Sequence, residues 1–170
     1  FERLVSFEKA DMNHVSPAWH GQFDFVWSTG LLEHAGTISL GQRFALETME
    51  LLKPGGAAVH TTDFTLSSTK GTIGYGPTVL WRRPDVERLR EDHLSLGYAM
   101  QPICWHPGSH SKDLVPDKPP YPVCPDLPAE EPAKGRWARL AAPGAAKSYM
   151  KLLSGDFVST SVGWVAQKPA

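Results

Sequence analysis

Leu4-Val5-Ser6-Phe7 is a short apolar run of strand formers that gives way to the polar stretch Glu8 to Asn13, a pattern that predicts a strand ending in a loop near Asp11. Phe23-Asp24-Phe25-Val26-Trp27-Ser28 is apolar at nearly every position, as expected of a strand covered on both faces in a parallel sheet, and Thr29-Gly30 ends it. From Leu40 to Leu52 the period changes. Leu40, Phe44, Ala45, Met49, Leu51 and Leu52 fall on one side at helical spacing, while Gln42, Arg43, Glu47 and Glu50 fall on the other. An amphipathic helix is expected there, stopped by Lys53-Pro54-Gly55-Gly56. Ala57-Ala58-Val59-His60-Thr61-Thr62 then reads as a second buried strand after a glycine-rich turn. Strand, helix, turn, strand is a βαβ unit, for which parallel strands and a right-handed crossover are expected.

Pro84 suits a first helical position, Asp85 and Glu87 complement a helix N-terminus, and Val86, Leu89, His93 and Leu96 form a stripe closed by Gly97. Tyr98 to Trp105 is the next expected strand. Nine of the fifteen prolines lie between Pro102 and Pro132, a density that excludes helix and central strand, so an extended insertion is expected over 102–134. Asp156 to Ala166 completes the pattern as a last strand. With no helix evident before it, that strand is expected to run antiparallel to its neighbour. The chain thus reads as one open α/β sheet. Ligands in such sheets sit beyond the carboxyl ends of the parallel strands, which means near Asp11, near Ser28 to His34 and near Thr61 to Thr65.

Composition narrows the function more than the fold. A chain of 170 residues with 41% hydrophobic side chains can bury a real core. Its formal net charge of −1 gives no electrostatic footprint for nucleic acid or anionic lipid, and no apolar run reaches the length of a membrane span. A small-molecule or protein partner is the expectation. The two cysteines, Cys104 and Cys124, make no disulfide framework, which points to a reducing, cytoplasmic setting. The start, Phe1-Glu2-Arg3, has neither an initiator Met nor a signal-peptide pattern and reads as a cut end.

Phe23 to Ser28 followed by Leu32-Glu33-His34, and then Leu52-Lys53-Pro54-Gly55-Gly56, closely resembles the fourth strand, its loop and the turn before the fifth strand of class I S-adenosylmethionine-dependent methyltransferases. The antiparallel last strand is similar to that family as well. The resemblance implies a Rossmann-like methyltransferase sheet, mostly parallel with an antiparallel last strand and flanked by helices, as a single incomplete domain over 1–170. It also implies S-adenosylmethionine as cofactor and methyl transfer, with a hydroxyl of a small molecule or glycan as the acceptor. One part of the family pattern is missing: the opening strand, the glycine-rich turn at a helix N-terminus and the acid-tipped second strand have no counterpart here. Gly71-Thr72-Ile73-Gly74-Tyr75-Gly76 follows the wrong strand, opens no helix, and reads as a flexible loop.

On that resemblance Asp11 and Met12 meet the adenine, Ser28, Thr29 and Gly30 approach the methionine part of the cofactor, and Glu33 belongs to the same wall. Each has a plainer reading: Asp11 with Asn13 stabilises a turn, and Ser28 to Gly30 simply end a strand. His34 is either the general base or a packing and capping residue, and Asp63 either orients an acceptor hydroxyl or starts a loop. His60, inside a strand, is expected to be a hydrogen-bonded core histidine. His106, His110, Asp113 and Asp117 have metal-ligand chemistry without helical spacing, and no metal site is expected. Tyr75, Trp81, Trp105 and Tyr121 offer flat surfaces either for an acceptor or for packing. Three readings stay open: an enzyme domain, a non-catalytic remnant acting as a protein-interaction module, and a different nucleotide-binding domain. Sheet edges left open by a missing front are expected to permit self-association.

Overall fold

The computed structural model describes residues 4–105 and 151–170. Its elements are β1 (Phe23–Ser28), α1 (Ile38–Leu51), β2 (Leu52–Thr65), α2 (Arg83–Ser95), β3 (Ala99–Met100), β4 (Leu152–Ser154) and β5 (Phe157–Gln167), with single 3-10 turns at Pro17–Trp19 and Leu32–His34. The insertion expected over 102–134 falls, beyond Trp105, outside the described residues, as do Cys124, Tyr121 and the four residues with metal-ligand chemistry.

The sheet has the order β1-β2-β5-β3, with β4 added to β5. β1 and β2 are parallel, in register Val26 with Ala58 and Ser28 with His60. β5 lies antiparallel between β2 and β3, so every strand but β5 shares one direction. That is the mostly parallel sheet with an antiparallel last strand that the pattern predicts. β4 and β5 form a hairpin whose turn is Gly155-Asp156, an addition that Leu152-Leu153-Ser154 is too short to announce.

α1 begins where Thr37 caps it, the Thr37 hydroxyl accepting from the Leu40 N–H at 3.2 Å. Its apolar stripe packs Ala45 and Met49 onto Leu52, Ala58, Ala166 and Trp164. Gly41 sits where α1 presses on the core, because a Cβ there would stand 2.7 Å from Trp81 and 2.8 Å from the Leu32 carbonyl. The helix stops ahead of Lys53, and although β2 is continuous from Leu52, Lys53 to Gly56 bulge out of its ladder with Gly55 at φ +80° before regular pairing with β1 starts at Ala57. At the start of α2 the Asp85 carboxylate accepts from the Arg82 backbone N–H at 2.8 Å and from its guanidinium at 2.7 Å.

Three expectations change. Leu4 to Phe7 forms no strand; Leu4 and Phe7 are almost wholly exposed, and a strand needs a ladder partner that this run does not reach among the described residues. The strand expected over Tyr98 to Trp105 shortens to Ala99–Met100, since Pro102 has no N–H to extend it. β1 is covered on one face only: Val26 and Ser28 face the helices, while Phe25 and Trp27 lie on a bare face, Trp27 being 68% exposed.

Candidate functional site

β1 ends at Ser28, level with His60 of β2, which runs on to Thr65, and the segment leaving β1 bonds to that further stretch of β2. Ser28, the last residue of β1, is buried and bonded to His60 Nδ1 at 2.8 Å. On the other side of that ring, Nε2 meets Thr48 Oγ1 at 3.0 Å, and the Thr48 hydroxyl donates to the Ala45 carbonyl at 2.7 Å. Thr48 has one proton, already committed to Ala45. It therefore accepts from His60 Nε2–H, which leaves Nδ1 to accept from Ser28. Burial pushes His60 down to about 4, reinforced by the charge of nearby His93, so the ring is neutral as this relay requires. His60 is the core histidine expected from its place in a strand, and it ties β1, β2 and α1 at one point.

Beyond Ser28 the chain turns through Gly30 at φ +57°, a left-handed conformation that favours glycine. Its N–H donates to Thr61 Oγ1 at 3.2 Å, joining the loop after β1 to β2. Glu33, in the 3-10 turn, is 4% exposed and its Oε2 accepts from Thr62 at 3.1 Å. His34 points the other way and is exposed. Its Nδ1 lies 2.8 Å from the Pro77 carbonyl, which can only accept, so Nδ1 carries the proton and Nε2 presents a lone pair.

Asp63, two positions beyond Thr61 on the same side of β2 and opposite Ser161, is half-buried. Burial raises its carboxyl above the ordinary range, the charge of Glu33 adds to this, and His34 opposes it. Glu33, His34 and Asp63 are thus within electrostatic reach of one another. Asp11 is placed differently. Its Oδ1 accepts from Asn13 N–H at 2.9 Å and its Oδ2 meets His14 Nδ1 at 3.1 Å, contacts that hold the exposed carboxyl below the usual range. The turn-stabilising role is the one observed. That turn, carrying half-buried Met12, still borders the site, because Arg43 bonds the Asn13 carbonyl at 2.8 Å and Asn13 reaches the Ala35 carbonyl.

Sequence reasoning did not find the segment Leu66 to Arg82. It is held rather than free: Gly76 N–H donates to Gly36 at 3.1 Å, Val79 N–H to Glu33 at 2.9 Å, and Leu80 N–H to Ile73 at 2.8 Å. Trp81 then runs parallel beside Phe64, its N–H donating to the Asp63 carbonyl at 3.0 Å. The signal lay in Val79-Leu80-Trp81, an apolar triplet that the structure buries completely or nearly so. Trp81 is core, Trp105 packs on Phe64 at 5.3 Å with Arg83 over its ring, and Tyr75 is exposed.

No family model matches the sequence, and no curated protein does. Solved structures do. The [4+2]-cyclase SpnF aligns over 99% of this chain and 59% of its own, at TM-score 0.51 and 17% identity. A methyltransferase candidate from Bacillus halodurans C-125, BH2331, aligns over 99% of this chain and 79% of its own, at TM-score 0.48 and 12% identity. The fold is of the class I methyltransferase type. Ser28 to His34 and Thr61 to Asp63 lie toward the carboxyl ends of the parallel strands β1 and β2, the side on which open α/β sheets bind ligands. The chain spans 59% of the cyclase's length, so the alignment leaves a large part of that structure without a counterpart here. Because a cyclase is among the chains of this shape, the reaction has to be argued from site residues and not from the fold.

Proposed function

We propose that this chain is the acceptor-side part of an S-adenosylmethionine-dependent methyltransferase whose acceptor is a hydroxyl of a small molecule or glycan. The observation that carries the reading is His34: an exposed imidazole at the crevice whose tautomer is fixed by the Pro77 carbonyl, so that Nε2 can take a proton. Gly30, bent at φ +57° and bonded to Thr61, brings bare backbone to the place where the methionine part of the cofactor belongs. Asp11, exposed and bonded once at each oxygen within its own turn, keeps lone pairs for the adenine amino group.

The cofactor, when bound, supplies a methyl group on a positively charged sulfur. What the protein adds is alignment and proton removal. Ser28, held by neutral His60, fixes the direction in which Thr29 and Gly30 leave β1. Asp63, half-buried and within electrostatic reach of Glu33 and His34, orients the acceptor hydroxyl toward His34 Nε2, which receives its proton as the oxygen is methylated. A cytoplasmic setting belongs to the same proposal. Among the described residues no helix is long and apolar enough to cross a membrane.

The test is transfer of a labelled methyl group to a panel of hydroxyl acceptors by the longest natural polypeptide that contains this sequence. His34→Ala should lower turnover by about 100-fold or more while cofactor affinity holds. An unchanged rate would remove His34 from the chemistry. A second reading, a non-catalytic interaction module, is favoured by the bare aromatic face of β1; it predicts no transfer to any acceptor.

A further inference from the structure

Tyr75 is 83% exposed, although the backbone around it is fastened to the turn that carries His34. Its own residue forms an antiparallel bridge with Thr37. Gly76 N–H then donates to the Gly36 carbonyl at 3.1 Å, the Pro77 carbonyl accepts from His34 Nδ1–H at 2.8 Å, and Val79 N–H donates to the Glu33 carbonyl at 2.9 Å. The first of these bonds joins two glycines, Gly36 at φ +95° and Gly76 at φ +120°, conformations that other residues rarely adopt. From the other side the Thr72 hydroxyl donates to the Leu80 carbonyl and Leu80 N–H to Ile73, so the stretch 72–80 closes on itself. Bonds on the ligand side of the sheet therefore set the place of Tyr75, and none of them involves the outer edge of β1. Trp81 and Trp105 have ring partners inside the fold, Trp164 and Phe64, whereas Tyr75 has none among the described residues. A ring left in water adds little to folding, and it offers a flat apolar face with a polar tip.

We propose that Tyr75 is the platform on which the acceptor rests and that the acceptor is a sugar ring, a specificity that deepens the methyltransferase reading and rests on it. The polar groups beside the platform select the sugar. His34 Nε2 presents a lone pair and Asp63 a carboxylate within electrostatic reach of it, so both side chains accept hydrogen bonds and neither donates. A ligand that satisfies both must bring O–H groups side by side. Neighbouring hydroxyls of a sugar do so: the one to be methylated faces Nε2, and the next donates to Asp63. With those hydroxyls engaged, the C–H face of the ring is free to lie on Tyr75. A simple phenol has one O–H and would leave Asp63 without a donor. An anionic acceptor would meet the Asp63 charge.

Binding can be read without any methyl transfer. The longest natural polypeptide containing this sequence, labelled in its tyrosine rings and held with S-adenosylhomocysteine, is titrated by NMR with methyl glycosides of common hexoses, with phenol and with inorganic phosphate. The Tyr75 ring signals, assigned by their loss in Tyr75→Leu, should move with at least one glycoside and stay in place with phenol and phosphate. Tyr75→Leu should weaken that glycoside by about tenfold, while Tyr75→Trp keeps its affinity. Both variants should melt with the unaltered protein, because the ring they replace is exposed. Ring signals that ignore every glycoside, that move as much with phenol, or a glycoside affinity equal in Tyr75→Leu overturns the proposal. Transfer of a labelled methyl group to a non-sugar hydroxyl, with a KM unchanged in Tyr75→Leu, would also overturn it and yet keep the methyltransferase reading.

Discussion

His60 and Asp63 stand three positions apart on β2, yet one serves the fold and the other is held at its expense. With its pKa near 4 in the folded chain against an ordinary 6.5, His60 stays neutral while the unfolded chain takes up a proton, so stability is complete above pH 6.5 and declines from there toward pH 4. The decline amounts to roughly 3 kcal/mol from this group, and buried His93, also depressed by burial, adds in the same direction. Urea midpoints measured across that window should show it. His60→Ala should lose about 2–4 kcal/mol at pH 7, because it opens a cavity and strips Ser28 of its acceptor. For Asp63 the sign is opposite. A carboxyl raised in the folded state opposes folding as pH rises through its titration. Asp63→Asn is therefore expected to raise the melting temperature at pH 7 while lowering methyl transfer, the trade found where a residue is kept for function. A lower melting temperature would make Asp63 an ordinary structural residue.

At the scale of elements, the period of apolar residues was sufficient wherever a local pattern decides the outcome. α1 begins and ends within two residues of its expected bounds, as the switch from Leu40-based helical spacing to Lys53-Pro54-Gly55-Gly56 requires. β2 and β5 follow from their β-branched runs. Long-range partners were harder to read. Nothing in Phe157 to Gln167 states that it enters between β2 and β3, and nothing in Leu4 to Phe7 states that no ladder receives it. The same holds at the site. His34 was visible as a residue type after a strand, but its useful tautomer depends on Pro77, which lies far along the chain and arrives only when Val79 to Trp81 docks beside β2. Gly41 marks that docking. Gly41→Ala should cost about 1–3 kcal/mol by pushing Trp81 or the Leu32 turn aside, an overpacking that chemical denaturation would detect. No loss would mean that α1 and the Trp81 segment are less tightly opposed than their geometry states.

For the molecule as a whole, the sheet order β1-β2-β5-β3 leaves the outer edge of β1 unpaired among the described residues and its aromatic face bare. On the proposed reading, His34 receives a proton, Asp63 orients a hydroxyl and Gly30 offers backbone to a cofactor's methionine part. Asp11 bonds within its own turn. If the proposed reading holds, this chain carries the proton-handling wall in full and only part of the surface that binds the cofactor. Calorimetric titration with S-adenosylhomocysteine, run on the 170-residue chain and on the longest natural polypeptide containing it, measures that separation most directly. The account predicts binding by the longer polypeptide, unaffected by His34→Ala, and binding at least about 100-fold weaker by the chain alone. Tight binding by the 170-residue chain would contradict the incomplete site, and no binding by the longer polypeptide would contradict the methyltransferase reading.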